Sequence, residues 1–335
     1  MKRPDYIICA PLQWTFSSNG VLALVRLARS IEKTGRRAYM CTYRHVNGVE
    51  AAIGIDFDTY APKNEGEQQF VGTIRRVAQE FGITMLKDFS QQHVDDCIVV
   101  YPEALLTNPL NAKRVVRYFL NREGIVSGRK VNVGPDDFIL AHSRVMHPDP
   151  HHVCYFAELN PLFHNRGTHP AEHRQLDISY IGKGSVYGIT DPVPETVVIT
   201  RTWPETKQEL AILLRNCRFF FTADACSNLN TEALACGAIP AFRDTGPWTN
   251  EDIDSFEPAP FPRLYEGVQA GDDFFAEFEK ERLGYLERLQ RLIDGWDDSV
   301  AQMADKADVH FALRPHTAPA PRDTAPASAA GRVTA

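Results

Sequence analysis

Residues 196–242 read TVVITRTWPETKQELAILLRNCRFFFTADACSNLNTEALACGAIPAF, and their pattern decides the fold. Residues 197–200 form a short β-branched run, which favours a strand. Thr206 followed three residues later by Glu209 is a capping box. It predicts a helix over residues 207–216, with Leu210, Ala211, Leu213 and Leu214 on its apolar side. Residues 219–222 read as a second strand. A loop of small and polar residues, 224–228, leads into a short helix over 229–236. Gly237 stands where helices commonly stop, and a third strand runs to Phe242.

Outward from this stretch the same alternation holds. Strands are expected at residues 6–10, 38–42, 97–101, 138–142 and 176–181. Helices are expected at 21–34, 67–81, 111–121, 272–294 and 300–313. Short apolar strands alternating with amphipathic helices predict an α/β protein with parallel sheets. The rhythm breaks between His142 and Arg174, a stretch rich in Pro, His and Asn with one apolar island at 153–159. The expected organisation is therefore a first Rossmann-like domain over 1–165 and a second over 170–285. Helices over 286–313 follow, able to pack back on the first domain. The final segment, 314–335, is Pro/Ala/Thr-rich and reads as a disordered tail. Two such domains leave a cleft at the carboxyl ends of their strands, where ligands of α/β sheets bind.

Composition narrows the class. The chain has 335 residues, 44% hydrophobic and 24% charged, with a net charge of −7, which argues against wholesale nucleic-acid binding. Its seven cysteines are dispersed, with no C-x-x-C, and read as reduced core residues of a cytoplasmic protein. No window approaches the roughly 20 apolar residues of a membrane span. Work on membrane-bound material would need a peripheral visit to the inner face.

The chemistry centres on Asp224 and Glu232, with seven residues between them. Ser227 or Asn228 suits the N-cap of the short helix. The backbone N–H groups of Asn228, Leu229, Asn230 and Thr231 would then face an anion at the helix start. Glu232, one turn in, could accept hydrogen bonds from a ribose diol. Lys183, flanked by glycines, and Arg201, at the end of a strand, are candidate cations for a diphosphate. The same residues also suit an ordinary capped helix, a solvated first-turn acid and exposed turn cations.

The capped helix, the strand, an acid, seven residues, Glu232 and then Ala-Leu-Ala-Cys-Gly-Ala-Ile-Pro-Ala resemble the donor-binding half of GT-B glycosyltransferases. In many of these, retaining ones above all, the pattern is Glu-x7-Glu followed by Ala-x-Ala-x-Gly-x-Pro-Val. Asp224 stands in the first acidic position, one methylene shorter. The resemblance covers roughly residues 178–242. It implies that Glu232 holds the ribose of a nucleotide sugar and that Asp224 contacts the transferred sugar. It further implies that Ser227 and the four residues after it cradle phosphate beside Lys183 and Arg201. No Asp-x-Asp metal motif occurs in a convincing position, and no metal or other cofactor is expected beyond the donor itself.

Residues 101–124 resemble the corresponding strand–loop–helix of bacterial glycosyltransferases that build surface polysaccharide. Glu103 and Asn108 would line the acceptor side. Lys113, Arg114 and Arg117 are expected on the solvent side of the 111–121 helix. In the first turn Ser17, Ser18, Asn19 and Gly20 resemble the loop that faces the sugar. Seven of the eleven histidines lie between His142 and His173 without metal-ligand spacing. His142 alone is placed at the cleft mouth, as an acceptor base or phosphate contact.

The expected function is a hexosyltransferase-like transfer of a sugar from a nucleotide donor to a hydroxyl acceptor, a bacterial glycan, with retention and without a metal. The alternatives are a nucleotide-sugar isomerase or hydrolase of the same fold, and a non-catalytic nucleotide-sugar-binding partner protein.

Overall fold

The computed structural model describes residues 3–13, 18–46 and 48–313. The expectations for Ser17 and for the 314–335 tail lie outside the described residues. In the first half the chain forms β1 (Asp5–Pro11), α1 (Asn19–Lys33), β2 (Ala38–Val46), β3 (Val49–Ile53), α2 (Glu65–Phe81) and β4 (Thr84–Met85). It continues through α3 (Gln91–Asp96), β5 (Cys97–Pro102), β6 (Val115–Phe119), β7 (Phe138–Ala141) and β8 (His152–Val153). The second half holds β9 (Leu176–Tyr180), β10 (Val197–Ile199), α4 (Lys207–Asn216), β11 (Cys217–Thr222), α5 (Asn228–Ala235) and β12 (Ile239–Phe242). Three helices close it, α6 (Asn250–Asp254), α7 (Asp272–Asp294) and α8 (Trp296–His310).

Local signals set most of these boundaries. Ser18 caps α1 by accepting from the Val21 amide. Asn64 caps α2, which ends at Gly82 in the left-handed conformation. The Thr206/Glu209 capping box of α4 is formed on both sides. Such caps satisfy amide groups that a helix start leaves unpaired.

The strands form two sheets. The first has eight strands in the order β3-β2-β1-β5-β6-β7-β8, with β4 beside β2. All its pairings are parallel except the β2–β3 hairpin. The second runs β10-β9-β11-β12 and is wholly parallel. Strand order reverses at β1/β5 in one sheet and at β9/β11 in the other. Loops leaving neighbouring strands diverge at such points and open a crevice at the carboxyl edge.

One predicted helix is a strand. Residues 111–121 contain β6, which pairs in parallel with β5 on one side and β7 on the other. Val115, Val116, Tyr118 and Phe119 are β-branched or aromatic and all buried, as suits a strand covered on both faces. The predicted solvent side fails with it. The Arg117 side chain is buried and Arg114 is half-buried, while Lys113 reaches out to pair with Asp95 at 2.6 Å.

Apolar layers cover both faces of the first sheet. Helix α8 belongs to one of them, through Val300, Met303, Ala304 and Ala307. It is tied to α1 by Ser30 donating to Asp297 at 2.6 Å, and to the turn after α1 by buried Arg36 donating to buried Asp308 at 2.7 Å. A further apolar cluster joins the two sheets, bringing Leu106 and Phe119 against Ala225, Trp248 and Ile253. Arg122 reinforces it. Its guanidinium lies 4.3 Å over the Trp248 ring, donates to Val145 O at 2.9 Å and pairs with Asp252. Two Rossmann-like parallel sheets joined near their carboxyl edges are the GT-B-like architecture expected from the sequence.

Candidate functional site

Lys183 and Asp224 occupy the switch point of the second sheet. After β9 the chain makes a 3-10 turn over Gly182–Tyr187. Gly182 has φ +53, and a Cβ on it would lie 2.6 Å from Asp224 Oδ2; one on Gly184 would lie 2.6 Å from the Ala223 Cβ. Only glycines let this turn rest directly on the end of β11. Asp224, itself buried, accepts from the Lys183 amide at 3.0 Å and from its ammonium at 3.3 Å. The ammonium also donates to Cys226 O at 3.4 Å. Burial alone would lower the Lys183 pKa, but the Asp224 carboxylate outweighs it and the pKa is raised, so the lysine stays charged.

From the first sheet, Glu103 and His142 come within reach of that charge. Glu103 follows β5 at the other switch point. It is buried and accepts from the Leu120 amide at 3.0 Å and from Asn121 Nδ2 at 3.2 Å. Burial raises its pKa to about 7, against the pull of those hydrogen bonds and of Lys183. His142 follows β7. Burial and then the Lys183 charge lower its pKa to about 4, so its imidazole is neutral at ordinary pH. Its Nδ1 accepts from the Phe156 amide at 3.2 Å. The proton therefore sits on Nε2, and the ring presents a donor.

The loop that carries Glu103 is braced from beneath. Glu50 on β3 accepts from the amides of Leu106 and Thr107 at 2.9 and 2.7 Å. Buried Arg117 donates to Leu105 O, Thr107 O and Asn132 O and pairs with Asp137 at 3.0 Å. Asn108, expected at the cleft, is engaged inside this loop. Its Oδ1 accepts from the Tyr101 hydroxyl and the Ala112 amide, and its Nδ2 donates to Ala112 O.

Helix α5 begins at the same edge. Ser227 is its N-cap and accepts from the Leu229 amide at 3.3 Å, while the Asn230 amide donates to Ser227 O at 3.1 Å. The side chains of Leu229, Asn230 and Thr231 turn away from the edge. Leu229 packs on the second sheet's core. Asn230 donates to Asp224 O at 2.9 Å and to Ala225 O at 3.2 Å, fixing the acid's loop to the helix. Thr231 is buried. The carboxyl end of α5 is capped by two arginines, Arg282 donating to Leu234 O at 3.1 Å and Arg174 to Cys236 O at 3.1 Å. Cations there complement the helix dipole.

Glu232 is buried one turn into α5 and is not solvated. Its Oε1 accepts from the Lys207 ammonium at 2.8 Å and from Asn228 Nδ2 at 3.5 Å. Burial raises its pKa, opposed by Lys207. Lys207 is 49% exposed and its ammonium lies 5.3 Å over the Phe163 ring. In the sequence Lys207 reads only as the start of a helix. The signal was there: a cation in a first turn opposes the helix dipole unless an acid elsewhere answers it.

Arg201 is exposed two residues beyond β10. Ser18, Asn19 and Gly20 start α1, and a Cβ on Gly20 would lie 3.7 Å from Leu120 Cδ1, beside the turn that Glu103 holds. His151 and His152 are engaged in structure, His151 Nδ1 accepting from the Ile139 amide and His152 Nε2 meeting Ser299 O. Among the described residues no group of three or more His, Cys, Asp or Glu could hold a metal. No helix among them is long and apolar enough to cross a membrane.

The arrangement thus sets a lysine–aspartate pair, a carboxyl of raised pKa, a neutral imidazole donor and a helix start around two adjoining sheet edges. No family model matches the chain, and no curated protein matches it. Among solved structures it is similar to an alpha-glucosyltransferase in complex with UDP and a 13-mer DNA containing a central A:G mismatch. The two are 12% identical, the match covers 90% of this chain and 95% of that chain, and the TM-score is 0.36. At that TM-score the likeness carries no functional weight.

Proposed function

We propose that this chain is a glycosyltransferase that moves a sugar from a nucleotide-activated donor to a hydroxyl acceptor, a bacterial glycan, with retention of configuration. Residues 1–165 form the acceptor side and 170–285 the donor side. Glu232 holds the ribose hydroxyls and shares them with Lys207. Lys183, Arg201 and the start of α5 at Ser227 and Asn228 neutralise the diphosphate, so that side-chain cations and a helix dipole carry the leaving-group charge. Asp224 keeps Lys183 in place and faces the transferred sugar. The acceptor hydroxyl attacks from the face that the diphosphate leaves, so the new glycosidic bond replaces the sugar–phosphate bond with configuration kept, and Glu103, whose pKa lies near neutrality, accepts its proton. The His142 Nε2–H donates to the acceptor or to the departing phosphate.

The observation that supports this reading best is the Lys183–Asp224 pair at one switch point, whose lysine charge acts on Glu103 and His142 at the edge of the other sheet. The test is release of nucleoside diphosphate from a panel of nucleotide sugars, with and without glycan acceptors. Acceptor-dependent release that Lys183→Met abolishes is expected. Release without any acceptor points to the hydrolase or isomerase, and binding with no release to a non-catalytic partner.

A further inference from the structure

His142 leaves the end of β7 with its amide donating to Phe119 O at 2.9 Å. The segment after β8 then runs beside it. The Cys154 amide donates to Ala141 O at 2.8 Å, and the Tyr118 hydroxyl donates to Cys154 O at 2.7 Å. These bonds fix the chain there and set two consecutive residues against the imidazole. The Phe156 amide donates to Nδ1 at 3.2 Å. The Tyr155 ring stacks on the imidazole, with centroids 4.5 Å apart and planes 27° from parallel. Among the described residues nothing bonds to Nε2, so that edge of the ring is the one left for a ligand.

The two contacts do different work. An amide on Nδ1 chooses the tautomer, but the last torsion of a histidine is soft and the ring can tilt about that bond. A stacked ring at this spacing is attractive and opposes the tilt. Tyr155 is itself well held. It packs against the cluster of Leu234, Ile239, Phe261, Phe278 and Tyr285 from the second half of the chain. Its hydroxyl is hydrogen-bonded to that of Tyr285 on α7. Phe156 is anchored separately, its ring edge-on to Trp296 at 5.4 Å.

We infer that the Tyr155 ring sets the plane of His142 and so aims its Nε2–H into the cleft, which makes Tyr155 a positioning residue for sugar transfer. This rests on the role given to His142 above. Tyr155 touches no substrate and acts through the imidazole alone.

The test compares Tyr155→Phe, which keeps the ring and loses the bond to Tyr285, with Tyr155→Leu, which loses the ring. Long-range proton–nitrogen spectra of histidine-labelled protein near neutral pH read the His142 tautomer, with its signals assigned through His142→Gln. Steady-state transfer reads kcat and KM. Wild type and Tyr155→Phe should show one Nε2–H tautomer and the same kcat. In Tyr155→Leu the ring tilts off the Phe156 amide, both tautomers appear, and kcat falls by about tenfold to a hundredfold with the donor KM unchanged. In a His142→Gln background Tyr155→Leu should cost no further rate.

A single tautomer and full kcat in Tyr155→Leu overturn the inference. So does a fall in kcat with the tautomer kept, or an additive loss in the His142→Gln background, since the effect then bypasses His142. Equal losses in Tyr155→Phe and Tyr155→Leu overturn it too, because the hydroxyl and not the ring is then at work. Should Tyr155→Leu fail to fold, wild type and Tyr155→Phe decide: mixed tautomers, or no Overhauser contact between the two rings, overturn the inference. If wild type transfers sugar and Tyr155→Leu does so equally well, the glycosyltransferase reading stands and only the inference falls. If wild type transfers sugar from no nucleotide donor, both fall.

Discussion

The Asp224 carboxylate accepts from both the backbone amide and the ammonium of Lys183, at 3.0 and 3.3 Å, across the switch point of the second sheet. The first contact shapes the turn and the second aims the charge. Asn at position 224 can keep the first, through its amide oxygen, but supplies no counter-charge. Asp224→Asn is therefore expected to fold with a loss of about 1–3 kcal/mol in urea denaturation. Sugar transfer should fall at least tenfold. Full activity would show that the pair is structural only.

Glu103 gives the reaction its pH dependence. A folded-state pKa of about 7, above the ordinary 4.5, means that the fold favours the protonated carboxyl. Its contribution to stability is full below about pH 4.5 and is lost as pH rises to about 7. A proton acceptor must be ionised, so kcat/KM should rise through about pH 7 and then level off. In Glu103→Gln that inflection should vanish together with most of the rate, as measured in a pH series with saturating donor.

His142 acts in the opposite sense on stability. Its folded pKa of about 4 lies below the ordinary 6.5, so the fold favours the neutral ring. Stability from this residue is present above pH 6.5 and is lost as pH falls towards 4. The loss should be on the order of 3 kcal/mol. His142→Gln should flatten the acid limb of the stability curve between those limits, as read by denaturant titration at half-unit pH steps.

Arg117 holds the floor beneath Glu103. Arg117→Met would leave Asp137 without its ion pair and the carbonyls of Leu105, Thr107 and Asn132 without their donor. Removing one partner of a buried pair typically costs about 3–5 kcal/mol. The same variant should speed amide exchange in residues 103–112, although residue 117 makes no contact with substrate in the proposed mechanism.

The fate of Arg117 shows where sequence reading stops. Helices α4 and α7 were legible because caps and periodic leucines are local, and the predicted limits match Lys207–Asn216 and Asp272–Asp294. Val115, Val116, Phe119 and Leu120 also fit a helical stripe. What makes them a strand is pairing with β5 and β7, which no local pattern encodes. Asp224, Lys183, Glu103 and His142 could be named one by one, since strand ends before polar loops are visible. Their convergence could not, because it depends on which strands lie beside one another. Lys207 carries no local mark of its partner for the same reason: it owes its interest to Glu232, a neighbour distant in sequence.

The central claim is that Glu232 is the ribose ligand of a nucleotide donor. The most direct measurement is a thermal-shift series of UDP, GDP, ADP, dTDP and CMP on wild type and Glu232→Ala. A ligand at 100 times its Kd stabilises a fold by about 2.7 kcal/mol. One nucleotide of the series should therefore raise the Tm of wild type by several degrees and leave that of Glu232→Ala unchanged. Stabilisation of neither protein by any nucleotide, or of both equally, would contradict the account.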